Sequence, residues 1–173
     1  MSVEATEPGR TSETPESTGA GRPARVLLLY ESTDSGRAAL REAAELSEAG
    51  AELTVVTLAP QAKPLRIARG GGGGGTGPYN RAVREEAEED LEQARGLLGA
   101  VADRTTLLVL VGNPRPRFIE WVCTGGFATV LLPHRRFVRG GSVYAKALRQ
   151  GTPAQVRVVR QGSVSGLAAD IGL

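Results

Sequence analysis

Cysteine and histidine are almost missing from this chain: Cys123 and His134 are its only examples. A lone thiol excludes a disulfide framework, and the pair excludes a Cys/His zinc site. Aromatic residues make up 4%, and no interleaved rings offer bases a stacking surface. No apolar run approaches the roughly 20 residues that a membrane helix needs. Residues 1–24 lack the basic start and apolar stretch of a signal peptide. A soluble, cytoplasmic protein is the expectation. The net charge is only +2, far from the balance of a strongly basic nucleic-acid binder. What is present is enough for a core: 40% of the 173 residues are hydrophobic, which fits one globular domain.

Residues 1–24 are rich in Ser, Thr, Glu, Pro and Gly and read as a disordered tail. The domain is placed at 25–160, with 161–173 as a C-terminal tail. Val26 to Tyr30 is a continuous apolar run, the mark of a strand covered on both faces. Glu31 to Ser35 is dense in helix-capping residues, and Ala39, Ala43 and Leu46 follow at helical spacing up to Gly50. Leu53 to Leu58 is a second strand, ending at Pro60. The connection over 60–78 holds six successive glycines, Gly70 to Gly75, and reads as a flexible linker. It lacks the Gly-Lys-Ser/Thr ending of a phosphate-binding loop.

Val83, Ala87, Leu91, Ala94, Leu98 and Val101 share one face of a predicted helix from about Tyr79 to Val101. The acidic cluster over 85–92 reads as its solvated side. Thr106 to Val111 is a third strand, and Asn113-Pro114 caps a short helix carrying Phe118, Ile119 and Val122 inward. Thr129 to Leu132, stopped by Pro133, is a fourth strand. A polar loop leads to Ser142 and a last helix; Val156 to Val159 is a fifth strand.

Strands alternating with helices predict an α/β fold: a five-stranded, parallel, doubly wound, Rossmann-like sheet. The first four strands are apolar enough for interior positions. The fifth alternates Val with Arg, which suits an edge or a subunit interface. A homodimer through Val156 and Val158 is the expectation. In such a sheet, ligands sit beyond the carboxyl ends of the strands, where the order reverses. The loops Glu31–Ser35 and Pro133–Ser142 face that crevice. Helix N-termini there favour an anion, with Thr33 and Ser142 as hydroxyl donors and Arg135, Arg136 and Arg139 as charge.

Taken in order, these residues resemble the universal stress protein family. Val26 to Thr33 resembles its opening strand and turn, and Gly50 to Val56 its first helix end and second strand. Gly112-Asn113-Pro114 resembles its Gly-Asp-Pro turn, and Gly141-Ser142-Val143 the start of its last helix. The resemblance implies an adenine-nucleotide alpha hydrolase-like fold, with the strand order 3-2-1-4-5. ATP-binding members carry Gly-x2-Gly-x9-Gly-Ser/Thr after the fourth strand. Here Pro133 and Arg136 stand at the first two glycine positions, and only Gly141-Ser142 survives. Glu31 stands where the family has aspartate.

A divergent member with a degenerate nucleotide site is the expectation. It would be non-enzymatic, with a regulatory or interaction role, an unknown protein partner and no cofactor. ATP binding through a rearranged loop is the alternative. Glu31, Thr33, His134, Arg135, Gly141 and Ser142 are the candidate crevice residues. No metal site or catalytic residue is expected. His134 with Asp34 or Glu31 and Ser32 or Ser142 suggests a hydrolytic set, but no Gly-x-Ser-x-Gly elbow supports it. Cys123 reads as a buried thiol and Trp121 as core filling. Residues 104–160 hold ten Lys or Arg against one Glu. No reader module accompanies that charge, so nucleic acid is not an expected partner.

Overall fold

The computed structural model describes residues 23–62, 76–134 and 143–161. The readings made for residues 1–22, the run Gly70–Gly75, Arg136, Arg139 and the stretch 162–173 lie outside them. The elements are β1 (Arg25–Leu29), α1 (Asp34–Glu48), β2 (Glu52–Pro60), α2 (Thr76–Leu98), β3 (Thr106–Gly112), α3 (Pro114–Thr124), β4 (Thr129–Pro133), α4 (Val143–Gly151) and β5 (Gln155–Val159). All neighbouring strands run parallel, in the order β3-β2-β1-β4-β5. This is the predicted sheet. None of the described helices is long and apolar enough to cross a membrane.

β1 is central because both its faces are apolar. Leu28 lies beside Val55 of β2 and Leu131 of β4. Alternation then divides its side chains between two layers. Val26, Leu28 and Tyr30 join the core under α1 and α2; Leu27 and Leu29 join the core under α3 and α4. α1 begins at Thr33, whose Oγ1 accepts from the Gly36 amide at 3.0 Å. Gly50, at φ 102°, follows its end.

α2 stops three residues before its predicted end. Gly99 takes φ 54°, a left-handed conformation that a helix does not continue through. A 3-10 turn over Gly99–Arg104 follows. Its three-residue period keeps Val101 buried in the core, so the apolar stripe outlasts the helix that it predicted.

β3 stands at the edge, as the order 3-2-1-4-5 requires, and departs only from the interior position that its composition suggested. Its run is as apolar as an interior strand, yet it is the outer strand beside β2 and is only half-buried. Leu108 is 37% exposed. The strand order decides this, since only one neighbour covers an edge. At the opposite edge, Val156 and Val158 of β5 pack against the α3/α4 layer of their own chain. Arg157 points the other way and pairs with Glu42 of α1 at 2.6 Å. The Val/Arg alternation is thus used within the chain. Cys123 is half-buried, as is Trp121, which meets Phe127 edge to face at 5.3 Å.

Candidate functional site

A cavity of about 620 Å³ opens beyond the carboxyl ends of β1, β2 and β3. Tyr30, Glu31, Ser32 and Thr33 enter it from the turn after β1, and Asn113, Pro114 and Arg115 from the start of α3. Tyr144 of α4 and Val83, Glu86, Ala87 and Asp90 of α2 complete the part that concerns its chemistry.

Two side-chain hydrogen-bonding devices hold α2 against this cavity. Thr57, buried on β2, donates from Oγ1 to the Ala87 carbonyl at 2.9 Å. Asn80 clasps the chain just after β2: its Oδ1 accepts from the Ala62 amide at 2.8 Å, and its Nδ2 donates to the Ala62 carbonyl at 3.3 Å. A third connection joins α2 to the β1 turn. The Tyr30 hydroxyl donates to Gln93 Oε1 at 3.0 Å, and the Ser32 hydroxyl donates to the same oxygen. The turn after β1 is therefore tied to α2 through polar side chains, while α1 begins immediately behind it.

The described wall is acidic. Glu31, Glu86 and Asp90 line it, against one guanidinium from Arg115. Burial pushes the Asp90 carboxyl up. The Ser32 amide, donating to it, pulls it down, and Glu86, Glu31 and Glu89 push it up again. The carboxyl stands above its ordinary value as a result. Burial likewise raises the Tyr30 phenol, and the Asp90 charge adds to this; Arg37 and the Ser32 hydroxyl work the other way.

A raised carboxyl has a sign that can be tested. The folded chain holds the Asp90 proton more tightly than the unfolded chain, so stability falls as pH rises through the raised value. Above that range the full penalty applies. Asp90→Asn removes the charge and keeps an oxygen for the Ser32 amide. It is expected to raise Tm at pH 7. The gain shrinks as pH falls through the carboxyl range, where the native Asp90 is itself protonated. Thermal scans at pH 4 and pH 7 check this; an equal shift at both would show that charge is not the cause.

Of the candidate residues, Glu31 and Thr33 line the cavity. His134 stands elsewhere. Its amide donates to Val159 at 2.9 Å, continuing the β4–β5 ladder, and its carbonyl accepts from Ser35 Oγ at 2.9 Å. It is not among the cavity-lining residues. Arg135, Gly141 and Ser142 lie outside the described residues. Of the serines in the imagined hydrolytic set, Ser32 is engaged with Gln93, and Ser142 is outside the described residues. Among the described residues, no group of three or more His, Cys, Asp or Glu side chains is arranged to hold a metal ion.

Tyr30, Glu86, Asp90, Arg115 and Tyr144 escaped the sequence reading. Glu86 and Asp90 carried a usable signal. They stand four apart and each lies next to a residue of the apolar stripe or one step from it, so they border the buried face of α2.

No family model matches the sequence, and no curated protein matches it. Solved structures do. The universal stress protein UspA from Lactobacillus plantarum superposes with a TM-score of 0.63 at 15% identity, covering 81% of this chain and 99% of that one. A protein of the same family from Burkholderia pseudomallei gives 0.58 at 16% identity, covering 79% and 95%. The universal stress protein from Archaeoglobus fulgidus, in complex with dAMP, gives 0.53 at 17% identity, covering 80% and 98%. Other similar structures are a universal stress protein in complex with cAMP and one from Arabidopsis thaliana with AMP bound. The chain has the universal stress protein fold.

Proposed function

We propose that this chain is a divergent universal stress protein: a non-enzymatic regulatory or interaction domain whose nucleotide site is degenerate and does not take ATP. The observation that carries the proposal is the acidic wall. A triphosphate brings about four negative charges to a crevice where Glu31, Glu86 and Asp90 already crowd one another. The sequence adds two further obstacles. Pro133 supplies no N–H for a phosphate, and Arg136 adds bulk where a glycine would let backbone approach.

Calorimetric titration of the full chain with ATP, with and without magnesium, tests this. No saturable heat is expected up to about 1 mM, a ligand level at which even a weak site binding with about −4 kcal/mol would register. Micromolar binding that is lost in Ser142→Ala overturns the reading. It would establish a nucleotide-binding switch working through a rearranged loop.

The structures holding cAMP, dAMP and AMP favour one second reading, a site for an adenine mononucleotide. A single phosphate meets the carboxylates with less charge than a triphosphate. The same titration with AMP separates the two: AMP binding without ATP binding supports this reading.

Assembly belongs to the same proposal. Among the described residues β5 is the last strand of the sheet, and a second copy pairing with it edge to edge would satisfy the N–H and C=O groups along an outer edge. A homodimer in the cytoplasm is the state that this reading assumes.

A further inference from the structure

A second cavity, of about 440 Å³, lies between α1 and the end of α2. Asp34, Arg37, Leu40, Arg41 and Ala44 of α1 line it, together with Leu97 of α2 and Gln161. It shares no lining residue with the crevice. Its base is apolar, and Leu97 is left 55% exposed. Gln161 is the last described residue, so the chain departs from within this groove.

Twelve residues follow Gln161 in the sequence, and their pattern suits the groove. Val164, Leu167, Ala168 and Ile171 stand at i, i+3, i+4 and i+7. That spacing places four apolar side chains on one face of a helix. Asp170 is the only charged side chain among them, and the groove presents the Arg41 guanidinium beside an Arg37–Asp34 ion pair of 2.5 Å. The reach is sufficient. From Asp34 to Ala44, α1 rises about 15 Å; twelve residues span about 18 Å as a helix and up to about 40 Å extended.

We propose that residues 162–173 dock onto their own domain in this groove, with the Val164/Leu167/Ile171 face covering Leu40, Ala44 and Leu97. The occupant is in cis because the segment begins where the groove is lined. An apolar surface so close to a tethered apolar segment meets it at a high effective concentration.

Cysteine pairing tests the placement. In the full chain carrying Cys123→Ser and Leu97→Cys, a second cysteine is introduced singly as Val164→Cys, Leu167→Cys or Ile171→Cys. One of the three is expected to close an intramolecular disulfide about tenfold faster than its match in which Glu120→Cys replaces Leu97→Cys. Equal rates at the two positions overturn the proposal. Disulfide-linked dimers overturn it as well, since the groove would then hold the segment of a second copy.

Hydrogen exchange supplies a second readout that leaves the fold intact. The full chain with Leu167→Asp and Ile171→Asp is expected to exchange about tenfold faster over residues 37–46 and 94–98, with β1 and β4 unchanged. Unchanged exchange in those two segments overturns the docking.

Discussion

Replacing Gly36 with alanine is expected to destabilise the chain by about 3 kcal/mol, in the upper range for overpacking a site that cannot relax. Gly36 sits in the first turn of α1, buried, with its amide on Thr33 Oγ1. A methyl group there would overlap the Glu31 carbonyl oxygen. That atom is backbone, so no rotamer change relieves the overlap. Either the start of α1 lifts or the turn after β1 shifts. Both moves disturb the crevice, because Glu31 and Thr33 line it from that turn. For a domain of this size the loss corresponds to a fall in Tm of about 6–12 °C.

Gly96→Ala is the matched control. It lies in α2, and an added methyl would meet nothing within 4 Å. Alanine there is expected to stabilise by about 0.5–1 kcal/mol through helix propensity alone. The same substitution thus has opposite signs at two helical glycines. Denaturant melts of both variants check the pair. A Gly36→Ala chain as stable as the parent would mean that α1 does not press on the turn.

The contrast shows what the sequence can express and what it cannot. The parallel sheet was legible because continuous apolar runs separated by capped helices leave few ways to wind it, and its strand order came with the family resemblance. Thr33 was legible as part of a capping cluster, since caps are a local chemistry. Gly36 was not. In a helical pattern a glycine reads only as a small propensity cost, and the reason for it lies five residues back in the chain, at a backbone atom.

The acidic cluster over 85–92 divides in the same way. Glu85, Glu88, Glu89 and Glu92 are exposed, as a solvated face requires. Glu86, exposed like them, and the half-buried Asp90 also line the crevice. Periodicity separated apolar from polar positions, but it did not say that the border of the stripe would look over the end of β1. That depends on where α2 crosses the sheet, and Thr57 and Asn80 fix the crossing through contacts at sequence separations of 30 and 18 residues. His134 fails for a related reason. It follows β4 directly, but its amide prolongs the ladder with β5, so it belongs to the sheet rather than to the cavity wall.

Tyr30 carries the second large effect. It is the last apolar residue of the β1 run, 1% exposed, and it lines the crevice. Tyr30→Ala is expected to cost about 4 kcal/mol, as for other large aromatic truncations in cores. It removes packing shared with α1 and α2, and it leaves Gln93 Oε1 with Ser32 alone. Tyr30→Phe keeps the ring and loses only the hydroxyl, so about 1 kcal/mol is expected.

The difference between the two variants isolates what the ring contributes to closing the crevice floor. Their pH behaviour isolates the hydroxyl. Because the folded phenol titrates above its ordinary value of 10.0, the parent chain loses stability as pH climbs through that range, while Tyr30→Phe has no phenol to ionise. The gap between the parent and Tyr30→Phe is therefore expected to narrow from pH 8 to pH 11 in urea melts. A gap that stays constant would mean that ionisation is no costlier in the fold than in the unfolded chain. A Tyr30→Ala chain within about 1 kcal/mol of the parent, far below the range for a buried aromatic, would remove Tyr30 from the floor of the site. The acidic wall would then lose the element that ties it to the central strand.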